Sequence, residues 1–439
     1  MIKITFTGAG STVFMRNVLG DCMCTPVLQQ AYMALYDIDE ERLKESKIIL
    51  DAMNQNVNEG RATIHTFLGV DNRKEALRDA DFVVNAIQVG GYDPCTVTDF
   101  EIPRKYGLQQ TIADTLGIGG IMRALRTIPV LEEFARDMEE VCPDAWFLNY
   151  TNPMAILTGY MQKCTKIKTV GLCHSVQTCA KTILTGVQME EKLEGSREVI
   201  AGINHMAWLL ELRDRDGNDL YPEIRKRALQ KNLEEKHDDM VRYEYINTFG
   251  YYCTESSEHN AEYNPFFIKK NYPEMIEAYN IPLDEYPRRC IKQIAAWDKE
   301  RYAILDHGKI THARSHEYAS YIMEAMVTNE PYKIGGNVLN TGLIPNLPTE
   351  ACVEVPCLVD GSGVTPCYVG NLPMQLAAMN LSNITPQLLT IEAARTKDRN
   401  YIYYAAMMDP HTGAELNIAD IKAMCDELIE AHGEYMSRY

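Results

Sequence analysis

The chain has 439 residues, of which 46% are hydrophobic and 24% charged, enough for one large or two ordinary domains and too much for a peptide or small module. It contains no run of roughly 18 apolar residues, which excludes a transmembrane helix, and its composition excludes a disordered protein. Sixty-one acidic against 43 basic side chains leave a net charge of −18, which argues against a nucleic-acid binder and favours a neutral or cationic small substrate.

Thirteen Cys residues are scattered through the chain, and no hydrophobic leader follows Met1. Reduced thiols in a cytoplasm are expected, without a disulfide framework.

The first element is a strand over residues 2–7, followed by Gly8-Ala9-Gly10-Ser11-Thr12 and a helix over 13–22. A second apolar run, 31–36, ends in Asp37 and leads into a helix over 39–58. Further strands are expected at 81–87, 146–150 and 168–172, separated by helices such as 120–141 and 154–163. Alternation of this kind predicts an α/β fold with a Rossmann-like, doubly wound parallel sheet.

Beyond about residue 175 the pattern changes. Residues 190–197 and 225–242 are highly charged, and aromatic residues crowd 243–267. Long helices are expected at 315–327, at 385–409 with Thr385 as N-cap and Pro386 at the first helical position, and at 418–436, with strands near Val338 and Val353. The chain is therefore expected to divide near residue 175 into a doubly wound domain, 1–175, and an α+β domain, 176–439. No internal repeat, low-complexity linker or heptad run is present.

Gly8 and Gly10 supply the first two glycines of a dinucleotide fingerprint, where a tight turn and a close pyrophosphate leave no room for a Cβ. Val13 stands at the third glycine position. Ser11 and Thr12 open the helix onto the phosphates, and Asp37, at the end of the second strand, can accept from ribose hydroxyls, which favours NAD over NADP.

Three further segments place chemical residues at strand ends: Asn149-Tyr150-Thr151-Asn152-Pro153, Gly171-Leu172-Cys173-His174-Ser175 and Gly202-Ile203-Asn204-His205. A thiolate from Cys173 and an imidazole from His205 would suit a divalent transition metal with open coordination positions. Taken singly, each also fits a small core residue or a hydrogen-bonded structural histidine.

Together with Ile4 to Phe14, Gly90-Gly91-Tyr92 through Asp99-Phe100, Ala113 to Thr127, Glu258-His259-Asn260-Ala261-Glu262-Tyr263 and Met407-Met408-Asp409-Pro410-His411, these segments resemble the family 4 glycoside hydrolases over essentially the whole chain, and their α-galactosidase branch in particular. In this family the pattern after the first glycines lacks a third one, so Val13 is no departure. The tetrad Cys173-His174-Ser175-Val176 is the mark of that branch, and His174, where enzymes for 6-phosphorylated glycosides carry Asp or Asn, implies an unphosphorylated sugar.

The resemblance implies NAD- and Mn2+-dependent cleavage of α-galactosides such as melibiose, outside the two-carboxylate scheme of most glycosidases. Hydride leaves C3 for NAD, a base removes the C2 proton, the group at C1 is eliminated, water adds and the hydride returns. It further implies Mn2+, or Co2+, Ni2+ or Fe2+, on Cys173 and His205; His174 as acid to the aglycone; and Tyr263, aided by Asp114, as the C2 base, with His259 also competent. Asn152 and Asn149 would hold sugar hydroxyls, and Asp99 would contact O4 or O6 of galactose. Related α-glucosides and α-galacturonides remain alternative substrates, and a homodimer or tetramer is expected, with no nucleic-acid or membrane partner. A plain NAD-dependent dehydrogenase and a redox-sensing NAD-binding protein are the rival readings. The Met-rich segment 407–411 reads as core or interface.

Overall fold

The computed structural model describes residues 1–307 and 310–439. Its centre is a sheet of twelve strands: β1 (Lys3–Thr7), β2 (Tyr32–Asp37), β3 (Thr63–Leu68), β4 (Phe82–Asn85), β5 (Trp146–Asn149), β6 (Lys168–Gly171), β7 (Arg197–Ile203), β8 (Met206–Arg213), β9 (Tyr252–Cys253), β10 (Tyr332–Leu339), β11 (Cys352–Asp360) and β12 (Gly363–Pro366). The order β3-β2-β1-β4-β5-β6 is parallel throughout, as the alternation of strands and helices predicts.

The parallel strands inward of the edge strand β3 are largely buried on both faces. Phe82, Val84, Leu148 and Val170 pack in one core with Met15, Leu19 and Leu50, whereas Val83 and Phe147 pack in another with Ile128, Leu131 and Leu157. Burying one such side chain is worth about 1.5–3 kcal/mol, so each face needs a helical cover. Helices Thr12–Cys24 and Glu40–Asn58 provide the first; helices Gly117–Val141 and Met154–Cys164 provide the second. The Glu40–Asn58 helix starts where Asp39 accepts a hydrogen bond from the Arg42 N–H.

The second half continues the same sheet with antiparallel strands. β10 joins β6 through Asn337 opposite Gly171, β10 pairs with β11, and β11 joins β7 through Glu354 opposite Gly202. The β7–β8 hairpin and short β9 complete that edge. The division expected at residue 175 falls in the first turn of the helix His174–Gly186, and the sheet runs across it.

Two helical expectations are corrected. Instead of one helix over 385–409, Met374–Thr396 and Asn400–Met408 are separate helices, broken where Lys397 takes a left-handed φ of 61°. Pro386 lies inside the first and does not begin it, and Thr385 is no cap: its hydroxyl donates to the Leu381 carbonyl one turn back. The helix expected over 418–436 ends at His432 and passes into a 3-10 turn. All thirteen cysteines are free thiols. Among the described residues no helix is long and apolar enough to cross a membrane.

Candidate active site

At the carboxyl ends of β1, β4, β5 and β6 a cavity of about 380 Å3 opens, lined in part by Ser11, Gln88, Asn152, Cys173, His205 and His259. Ligands of doubly wound sheets bind at this edge.

One wall is the glycine turn. Gly8 has φ +80°, and a Cβ there would lie 2.6 Å from the Ala86 carbonyl oxygen, so only glycine serves. The Gly10 N–H donates to Asp37 Oδ2 at 2.6 Å, and a Cβ on Gly10 would come within 2.9 Å of the same oxygen. Asp37 thus fixes the turn, with its other oxygen accepting from Asp39 N at 2.9 Å. Ser11 precedes the helix Thr12–Cys24 without a side-chain cap, which leaves N–H groups and the positive end of the helix for an anion. Thr12 is buried and braces the turn instead of facing a ligand: its hydroxyl meets Ser46 Oγ at 3.0 Å, and Ser46 donates to Ala9 O. Val13 is 44% exposed and meets no tightly packed strand, hence no glycine is needed there.

The opposite wall brings together three loops. Cys173 is the N-cap of His174–Gly186, with its carbonyl held by the Tyr318 hydroxyl at 2.8 Å. His205 lies in the tight connection of the β7–β8 hairpin with φ +63°, and Glu255 follows β9 with φ +64°. Pairing of β8 with β9 places these last two side by side. The Cys173 sulfur, a His205 ring nitrogen and a Glu255 oxygen lie within 4.8 Å of one another, and His205 Nε2 is 3.3 Å from Glu255. Non-glycine residues at positive φ cost of order 1–3 kcal/mol and collect at functional sites.

The electrostatics of this cluster favour positive charge beside Glu255. Burial lowers the His205 pKa, but Glu255 and Cys173 outweigh it and raise the imidazole to about 10. Burial raises Glu255, yet His205 and His259 bring it down to about 2. A divalent metal would replace the proton between these ligands. Behind His205, Tyr263 Oη is 3.1 Å from Nδ1, the second partner that fixes a ligating imidazole.

Of the residues expected at the site, Asp114, Asn152, His174 and His259 line the cavity with Cys173 and His205. Asn152 Nδ2 approaches Asp114 at 3.5 Å. Tyr263 is buried behind His205, and burial first, then Asp114, hold its phenol well above the ordinary range. Burial lowers His259 to about 4 against the pull of Glu255; its Nδ1 is tied to Ser256 Oγ at 2.6 Å.

Two expectations are corrected. Asn149 is buried, with its amide engaged by Asn85, Thr151 and Thr158, and it braces strand ends. Asp99 is a core residue between Arg126 Nη2 at 2.7 Å and His432 Nε2 at 2.8 Å. Neither lines the cavity.

Three residues that the sequence reading missed also belong to the site: Glu255, Arg123 and Glu317. Arg123, on the helix Gly117–Val141, is 8% exposed, lines the cavity and donates to the Tyr286 hydroxyl at 3.3 Å. Among the described residues no carboxylate forms an ion pair with it. Glu317 pairs with His174 Nε2 and accepts from the Tyr150 hydroxyl. Nothing in local spacing announces these; only Arg123 falls in a segment that carries the family resemblance.

A dinucleotide-type turn and a cysteine–imidazole–carboxylate set thus face one cavity. Family models for the family 4 glycosyl hydrolases match residues 3–189, and for their C-terminal domain residues 200–412. The chain belongs to family 4 of the glycosyl hydrolases. It is 60% identical, over the full length of both chains, to an α-galactosidase of Bacillus subtilis. A solved structure described as a putative glucosidase from Bacillus subtilis superposes with a TM-score of 0.85 at 26% identity, covering 98% of this chain and 99% of that one. The 6-phospho-β-glucosidase of Thermotoga maritima, solved with manganese, NAD+ and glucose-6-phosphate, gives 0.78 at 21% identity over 99% of each chain.

Proposed function

We propose that this protein hydrolyses α-galactosides with NAD and a divalent metal such as Mn2+ as resident cofactors. The observation that carries the reading is the convergence of Cys173, His205 and Glu255 within 4.8 Å in the cavity that also holds Ser11 of the glycine turn. The full-length likeness to a Bacillus subtilis α-galactosidase supports the substrate class.

The residues present suit both cofactors. The open helix terminus at Ser11 and the turn fixed by Asp37 would hold NAD, and Cys173, His205 and Glu255 would hold the metal. When bound, NAD supplies a reversible hydride acceptor for C3 and the metal a Lewis acid toward the C2 and C3 oxygens.

Around that chemistry the chain itself positions the sugar and moves protons. Asn152 and Arg123 offer donors to sugar oxygens from two sides of the cavity. His174, exposed on the wall, donates a proton to the departing oxygen at C1. Tyr263, one hydrogen bond from His205, is assigned removal of the C2 proton, for which its phenol, held well above the ordinary range in the metal-free protein, must first give up its own proton; His259, which lines the cavity, is the other candidate. Asp114, on the cavity wall, would accept the phenol's proton and leave the phenolate to take the one at C2.

The test is release of nitrophenol from 4-nitrophenyl α-galactoside by chelator-treated protein, with NAD and Mn2+ added singly and together. Turnover that needs both, without net NADH, is expected. Steady NADH from a free polyol or hydroxy acid, with no cleavage, would overturn the reading in favour of a dehydrogenase.

A further inference from the structure

A buried carboxylate meets the exposed His174 from outside the metal and cofactor walls. Glu317 is 7% exposed while the His174 side chain is 56% exposed. One Glu317 oxygen is paired with His174 Nε2, and the other accepts from the Tyr150 hydroxyl at 2.6 Å. The segment carrying Glu317 is fixed from behind. Glu317 N donates to Ser315 Oγ at 3.0 Å, and Ser315 donates through N at 2.8 Å and Oγ at 2.6 Å to Asp21, a fully buried residue of the helix Thr12–Cys24. Asp21 also meets His312 Nε2 at 2.6 Å.

A half-exposed imidazole left alone would sample several rotamers. Held at Nε2 by a carboxylate that cannot itself move, the ring keeps one orientation, and Nδ1 is the nitrogen left to face a ligand. Such base–orienter pairs recur wherever an imidazole transfers a proton.

We propose that Glu317 is the positioning residue for His174, fixing the ring so that Nδ1 delivers its proton to the departing glycosidic oxygen. As the C1–O bond breaks, its electron pair stays on that oxygen, which takes the proton from Nδ1. The imidazole is left neutral with its remaining hydrogen on Nε2, still donated to Glu317. The proposal rests on the reading of this site as a glycosidase.

The test compares two substrates within each protein, using holoenzyme with NAD and Mn2+. The phenoxide of 4-nitrophenyl α-galactoside departs without a proton, whereas the sugar alkoxide of melibiose requires one. General acid assistance contributes about 10²–10⁴-fold, so Glu317→Gln and Glu317→Ala should raise the ratio of kcat on the nitrophenyl substrate to kcat on melibiose by ~10-fold or more. Because the ratio is taken within one preparation, loss of folded protein cancels from it. An unchanged ratio, whether both rates fall together or neither falls, would overturn the positioning role. A wild-type protein that cleaves neither substrate would instead overturn the glycosidase reading beneath it.

Discussion

His205 sits at positive φ, buried, with one ring nitrogen toward Glu255 and the other toward Tyr263. Backbone strain and two engaged ring nitrogens suit the ligand role proposed for it. Replacing Cys173 or His205 by Ala should abolish tight Mn2+ binding and lower turnover by at least ~100-fold, while Glu255→Gln should weaken binding by ~10–100-fold, the range typical of supporting groups; titration calorimetry with Mn2+ measures each. Undiminished affinity in Cys173→Ala would remove the sulfur from the site. At this scale the sequence was legible where resemblance supplied a motif, as at Cys173, His174 and His205. It was not legible for Glu255, Glu317 or Arg123, which come from separate elements and meet the others only in three dimensions. Asp99 and Asn149 show the converse: a polar residue near a strand end can turn into the core, and sequence position does not say which way it faces.

At the scale of elements, the insertion of β10 and β11 between β6 and β7 assembles the wall of the proposed metal ligands. Gly171, Asn337, Glu354 and Gly202 form one cross-strand row, and Asn337 Nδ2 donates to Gly171 O at 3.2 Å and to Glu354 Oε1 at 2.9 Å. Cys173 and His205 lie just beyond the two ends of this row. Glu354 is fully buried, and burial raises its carboxyl from 4.5 to about 7 against the hydrogen bond from Asn337. The folded pKa is above the unfolded one, so below 4.5 both states are protonated and nothing is lost. As pH rises toward 7 the unfolded chain ionises first, and stability falls by up to about 3 kcal/mol. Glu354→Gln keeps the acceptor for Asn337 without the charge. Its stability relative to wild type, from urea unfolding of metal-free protein, should therefore climb between pH 4.5 and 7 and level off above; a difference independent of pH would contradict this. The parallel strands β1, β2, β4, β5 and β6 were readable as short apolar runs, whereas the partly exposed edge strand β3 was not. The β7–β8 hairpin was not, since Arg197 and Glu198 open β7 as an exposed, charged stretch, and Pro386 marked a helix start that tertiary packing overrode.

For the whole molecule, one sheet carries both the glycine turn and the ligand set, and the cavity between them, about 380 Å3, is of a size that takes a small ligand. The surplus of acidic groups, a net −18, leaves the surface unsuited to nucleic acid without repelling a neutral sugar. The expectation of an α/β fold followed from the first 175 residues; strands near Val338 and Val353 were also legible, but not that they extend the same sheet, since β10 meets β6 and β11 meets β7 through single residue pairs that no local pattern announces. The central claim is that this architecture breaks a glycosidic bond by way of the C2 proton and not by displacement at C1. Hydrolysis of 4-nitrophenyl α-galactoside in D2O, with mass and NMR analysis of the released galactose, tests it most directly. One deuterium at C2 is the predicted result, and galactose with only hydrogen at C2 would contradict the account.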